Sequence, residues 1–180
     1  MADELIDILD ENGLSTGKTA MKNEAHRKGL WHAAAHVWIF NDKKEILLQH
    51  RSKEKKLFPD LWDVCVGGHI SAGGNPKDTA LREAKEELGM DLDGKLLKKA
   101  FIFKESTKAN DGQQNNEFYH TFLYKLKKFP KIKMQKGEVD ATKIISTEEL
   151  EKELHDKEKS KKYLPHEKEY WFLAIKNIKK

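Results

Sequence analysis

Arg82, Glu83, Glu86 and Glu87 fall within six residues of one another, a short way after glycines at positions 67, 68, 73 and 74. Three carboxylates on so short a segment suit the binding of a divalent cation. With ~100° of rotation per residue in an α-helix, Glu86 and Glu87 lie about 60° behind and about 40° ahead of Glu83, an arc of roughly 100°. They can therefore converge on one ion cluster. Left bare, like charges at this spacing cost a helix a few tenths of a kcal/mol per pair, a cost that a bound cation removes. Oxygen-only ligands favour Mg²⁺ or Mn²⁺.

A strand, a loop and a helix are needed to aim those side chains. Leu61 to Val66 (LWDVCV) is apolar and rich in β-formers, and the glycines after it allow a tight loop. Asn75 is a natural N-cap, Pro76 suits the first helical position, Asp78 weakly imitates a capping-box acid, and Gly89 supplies a stop. The helix is predicted over 76–88, with Ala80, Leu81, Ala84 and Leu88 as its apolar stripe and the glutamates on a separate flank.

Gly68 and the run Arg82-Glu83-Ala84-Lys85-Glu86-Glu87-Leu88-Gly89-Met90 stand in register with a known pattern: Gly, five residues, Glu, seven residues, then Arg-Glu-aliphatic-x-Glu-Glu-x-Gly-aliphatic. The segment resembles the Nudix box. One position departs, because the glutamate due after the five-residue gap is Gly74. The resemblance implies an α/β fold, a Nudix-type α/β/α sandwich around a mixed β-sheet. It also implies Mg²⁺- or Mn²⁺-dependent hydrolysis of a diphosphate linkage in a nucleoside diphosphate derivative or related organic diphosphate. By the same resemblance Glu83, Glu86 and Glu87 are metal ligands, joined by the Gly67 backbone carbonyl, and Glu83 is also a candidate base for water. Arg82 matches the box arginine, whose usual partner is the glutamate missing here; Asp78, four residues earlier, is the candidate replacement. The departure keeps another function open, a catalytically impaired module that holds a nucleotide or diphosphate without turning it over.

Outside the box, Glu138 resembles a downstream glutamate that adds a ligand or base in this family, and Arg51 and His69 are further candidates for substrate binding. Lys53, Lys55 and Lys56 follow a strand and can meet phosphates, although a solvated charge run explains them as well. Phe58 and Trp62 read first as core and second as stacking platforms for a base. The stretches EAHRKGLWHAAAHVWIF and LWDVCVGGHI resemble the branch that includes isopentenyl-diphosphate isomerase, in which histidines matching His26, His32 and His69 help bind a metal and a glutamate matches Glu117. That isomerase uses a cysteine where Gly67 stands. Cys65, read as lying on the same strand face roughly 7 Å away, is too far to replace it. Isomerisation is thus an enzyme alternative with Gly67 against it.

Composition sets wide bounds. The 180 residues, 38% hydrophobic and 36% charged, suit a single domain over 1–180, with an N-terminal extension at 1–29 and C-terminal helices over 147–180. A net charge of +4 suits an anionic small molecule and is too mild to imply polymeric nucleic acid. No apolar run approaches ~18 residues and the acidic opening lacks the marks of a signal peptide, so no membrane association and a cytoplasmic location are expected. One cysteine permits no internal disulfide, and Cys65 reads as core. The aromatic C-terminal helix leaves a homodimer open.

Along the chain, residues 4–9 and 16–20 read as a hairpin, with a short helix on Leu5, Ile8 and Leu9 as the competing reading. A helix follows over 21–28, then a hairpin of 33–40 and 45–50. Beyond Gly89 come strands at 96–104 and 117–126 around a polar loop, Ser106 to Asn116, and a strand at 138–145. A helix capped by Ser146 runs to about Asp156, a charged linker covers 157–162, and a last helix starts near Pro165.

Overall fold

The computed structural model describes residues 3–108 and 114–180. The chain opens with an antiparallel hairpin of β1 (Leu5–Leu9) and β2 (Ser15–Met21), and α1 (Lys22–Lys28) follows. The turn-forming Asp10–Ser15 segment wins over the competing helix. Alternation places Ile6 and Ile8 inward on a small cluster with Ala25, while Leu5 stays exposed.

The central strand of the main sheet is β3 (His32–Asn41), which pairs antiparallel with β4 (Glu45–Arg51) and β6 (Val66–His69) and parallel with β8 (Gln114–Leu126). β7 (Lys98–Lys108) extends the sheet beyond β8, while β5 (Trp62–Val64) and β9 (Val139–Ser146) pair with β4. The ladder between β3 and β4 holds only Ile39 opposite Leu47 and Phe40 opposite Ile46. Beyond it β3 continues with β6 and β4 with β5, so the two strands part. Arg51, Asp63, Gly67 and His36, all around that parting, line a common cleft.

Alternation along β3 also divides the core. Trp38 and Phe40 pack with Leu150 and Leu154 of α3 (Thr147–His155) and with Tyr170, Trp171, Ala174, Ile175 and Ile178 of α4 (Lys168–Lys179). Ala35, Val37 and Ile39 face Ala80, Ala84 and Leu88 of α2 (Pro76–Leu88). A mixed sheet between α2 and the α3–α4 pair is the expected α/β/α sandwich.

Several boundaries differ from the sequence expectation. The strand foreseen over 61–66 breaks at Cys65 into β5 and β6, and Gly67 and Gly68 are strand residues opposite His36 and Ala35. Cys65 lies in the α2-side core with its Sγ donating to Val37 O at 3.1 Å, whereas a side chain at Gly67 would face His36. The two positions do not share a face, because the bend between them resets the alternation. The polar stretch 106–116 is largely strand: Ser106 to Lys108 extend β7 and Gln114 to Asn116 begin β8, since cross-strand pairing overrides local polarity. The rest of that expected loop lies outside the described residues. The charged linker winds into a 3-10 turn at Lys159–Lys162, and α4 starts at Lys168, after the Glu167 N–H has bonded the Glu105 carboxylate at 2.6 Å.

Candidate active site

The capping signals set the start and end of α2. The Asn75 carboxamide accepts from the Lys77 and Asp78 N–H groups at 2.8 and 3.4 Å, Pro76 opens the first turn, and Gly89 ends the helix at φ 66. Asp78 contributes its backbone N–H here. With the apolar stripe buried against the sheet, Glu83, Glu86 and Glu87 line the cleft together. Glu87 is buried, Glu83 is mostly buried, and Glu86 is half exposed.

Two glycines of β6 let the helix come this close. A Cβ at Gly68 would stand 2.2 Å from the Glu83 carboxyl carbon, so Glu83 occupies the space a side chain would take. The Gly67 N–H donates to Glu87 Oε2 at 3.2 Å. Burial pushes the Glu87 carboxyl up to about 8; Lys55 opposes the shift and Glu83 adds to it. Glu83 is also raised, by burial first, against the pull of Arg82. Two buried carboxyls that repel each other and offer only oxygen are the donor set of a hard divalent cation. Arg82 reaches Glu83 at 2.7 Å and Glu86 at 2.9 Å, and makes no ion pair with Asp78. The expected replacement is therefore wrong: Arg82 extends toward Glu83 and Glu86 on its C-terminal side, not back to Asp78.

The cleft, about 500 Å³ in volume, is also lined by cations. Lys55 pairs with buried Glu138, and Lys22, Lys56 and Lys136 also line the space. Arg51 borders it too, but its guanidinium donates to Phe58 O and Leu57 O at 2.9 Å each and to Asp63 at 3.3 Å. It tethers the 52–61 loop, in which Phe58 and Asp60 hold positive φ, at 50 and 62. Lys53 sits outside at Asp60, 3.8 Å away. Trp62 packs against His50 and under the Lys143 ammonium, partly buried beside the core.

His26, His69 and Glu117 of a second cluster line the same cleft. Alternation puts His32 and Glu117 opposite each other on β3 and β8, His69 arrives from β6, and His26 from α1. The ligand atoms of His26, His32 and His69 all lie within 4.8 Å of one another, and His69 Nε2 is 3.1 Å from Glu117 Oε1. His32 Nε2 is 3.3 Å from the same oxygen without hydrogen-bond geometry. His26 Nδ1 and Asn115 Oδ1 are likewise buried without partners. Burial, then the neighbouring His69, lowers His26 to about 4, so it stands neutral. Burial raises Glu117, but the neighbouring His32 and His69 imidazoles outweigh it and hold the carboxylate well below its usual range. Three imidazoles around one carboxylate, with orphaned polar atoms beside them, fit a cation of the Zn²⁺ or Mn²⁺ kind.

Sequence reasoning missed a further polar wall of the cleft, with His36, Asp63, Tyr119 and His166. His166 Nδ1 is 2.6 Å from Glu105 Oε2 and its Nε2 is 3.2 Å from Asp63 Oδ1, while Tyr119 donates to Glu105 at 3.0 Å. His36 Nδ1 meets the Tyr170 hydroxyl at 2.6 Å. Asp63 within LWDVCV and His36 within AAAHVWIF are polar residues in apolar strands, a signal that could have found them. His166 and Glu105 carry no such mark.

The family model of the NUDIX domain matches residues 30–166. Nudix hydrolase 3 of Arabidopsis thaliana is 38% identical over 93% of this chain, which spans 22% of that protein's length. An uncharacterised Nudix hydrolase of Listeria monocytogenes is 34% identical, over 81% of each chain. An isopentenyl-diphosphate Delta-isomerase of Aromatoleum aromaticum is 33% identical over 68% of this chain and 62% of its own. Among solved structures, DR0079 from Deinococcus radiodurans superposes with a TM-score of 0.71 at 17% identity, covering 95% of this chain and 98% of its own, a likeness of fold. The chain belongs to the Nudix hydrolase family.

Proposed function

We propose that the protein is a Mg²⁺- or Mn²⁺-dependent pyrophosphohydrolase whose substrate is a nucleoside diphosphate derivative or a related organic diphosphate. The convergence of Glu83, Glu86 and Glu87 on a cleft that Lys55, Lys56 and Lys136 also line supports this reading. Glu83, Glu86 and Glu87, with the Gly67 carbonyl, would hold the cation, which when bound neutralises phosphate charge and lowers the pKa of water. The lysines orient the diphosphate by its charge, and Arg82 fixes Glu83 and Glu86 against each other. Glu83, raised by burial, is suited to take a proton from water, and Glu138 holds the Lys55 ammonium in place for the phosphate end. Turnover of a panel of nucleoside diphosphate derivatives with Mg²⁺ or Mn²⁺ tests this. Glu86→Gln should lose about two orders of magnitude in kcat with folding intact. Absence of turnover in the natural chain, with nucleotide still bound, would favour the impaired binding module instead.

The histidine cluster favours one second reading, an isomerase-like enzyme with its cation on His26, His32, His69 and Glu117. Against it, no thiol faces the cleft at Gly67, and a Cβ there would stand 3.3 Å from the His36 ring. The polar wall of Asp63, His166 and Tyr119 also suits a hydrogen-bonding group better than a hydrocarbon. Conversion of isopentenyl diphosphate by the natural chain would reverse this order.

A further inference from the structure

The box loop of this chain, residues 70–75, must hold β6 and α2 in register without a glutamate at position 74. Nor is there room for one. A Cβ at Gly74 would lie 2.7 Å from Ser71 O and 3.2 Å from Ile70 Cγ2, because the loop closes tightly through Gly74 N–H to Ser71 O at 2.8 Å, with Gly73 at φ 71. The loop is held from outside instead. Ile6 of β1 bridges to Ser71, the Ala72 N–H donates to Leu5 O at 2.8 Å, and the Gly73 N–H donates to Asp7 Oδ2 at 2.8 Å. The Ser71 hydroxyl adds a bond to Glu4 Oε2 at 3.3 Å, and Ile6 is fully buried beneath these contacts. The loop is thus anchored to the edge of the N-terminal hairpin through one bridge and these side-chain bonds.

We propose that Asp7 is the positioning carboxylate of the box loop, standing in from the N-terminal hairpin for the glutamate that Gly74 replaces. It acts through the loop: with Gly73 fixed, β6 and the start of α2 keep their spacing, and Gly68 stays under Glu83. Arg82, relieved of a loop partner, bridges Glu83 and Glu86. The proposal rests on the hydrolase reading for its effect on turnover, but the brace itself does not depend on it.

The test compares Asp7→Ala, Asp7→Asn and Gly74→Glu in the full chain. In Asp7→Ala the Gly73 amide should exchange with deuterium roughly tenfold faster or more, by NMR. Mn²⁺ binding, read by water-proton relaxation, should weaken, and kcat should fall while KM for the diphosphate changes little. Asp7→Asn keeps an acceptor oxygen and should restore most of each. Gly74→Glu should lower turnover, since its Cβ strikes the loop backbone. An Asp7→Ala chain that unfolds cooperatively and retains Gly73 protection and Mn²⁺ affinity would overturn the proposal, as would a gain of activity in Gly74→Glu. If the natural chain turns nothing over, the hydrolase reading fails, while Gly73 exchange and Mn²⁺ binding still decide the role of Asp7.

Discussion

At Gly68 a missing side chain makes the carboxylate site possible, since Glu83 lies where a Cβ would be and its Oε1 would stand 2.3 Å from that atom. Gly68→Ala should therefore push Glu83 out of line with Glu87. A misplacement on the scale of 1 Å costs about two orders of magnitude in rate, so kcat/KM should drop by roughly that factor while circular dichroism stays native. Preserved activity would mean that Glu83 is dispensable. The identities of Glu83, Glu86, Glu87 and Arg82 were legible because their spacing is local. The ion pairs were not, because Arg82 had Asp78, Glu83 and Glu86 all within helical reach and only their side-chain directions decide among them.

Among the elements, α2 was the most legible, its bounds over 76–88 being written in Asn75, Pro76 and Gly89. Asn75→Ala removes the acceptor for two N–H groups and should lower stability by about 1 kcal/mol, read by urea unfolding. An unchanged midpoint would show that the outer brace, rather than the cap, fixes the helix start. Strand ends were harder to read. Ser106–Lys108 and Gln114–Asn116 are polar, yet they are strand because each faces the other across the β7–β8 ladder, a pairing invisible to a local window. The bend at Cys65 was hidden likewise, because β5 and β6 take different partners, β4 and β3.

The whole molecule is linked by one buried cation. His166, just before α4, joins Asp63 on β5 to Glu105 on β7, with Tyr119, His36 and Tyr170 around it and Arg51 on Asp63. Burial opposes its charge, but the bonds to Asp63 and Glu105 outweigh this and raise the imidazole from 6.5 to about 9. Asp63 and Glu105 are held low in turn, against their own burial, by His166. A raised folded-state pKa stabilises fully below the unfolded value, so this contribution is whole below pH 6.5 and is lost as pH rises through about 9. The carboxylates contribute above their ordinary range and lose their share in acid. His166→Gln leaves two buried carboxylates facing each other and should cost about 3 kcal/mol or more at neutral pH. Thermal unfolding from pH 6 to 10 should then show a shallower alkaline decline in the variant, and parallel profiles would contradict the assignment.

The sequence by itself determined the α2 helix and its carboxylates, because caps, apolar periodicity and motif spacing act over a few residues, and the sandwich followed from the resemblance those motifs carry. Tertiary structure alone decided how position 74 can be glycine, where Arg51 and Arg82 bind, and which polar groups line the cleft. Asp7 and Gly73, or Asp63, Glu105 and His166, are far apart along the chain and meet only after the hairpin, β7 and the approach to α4 have packed around the same sheet. Charges and hydrogen bonds depend on distance in space, and separation along the chain does not report it.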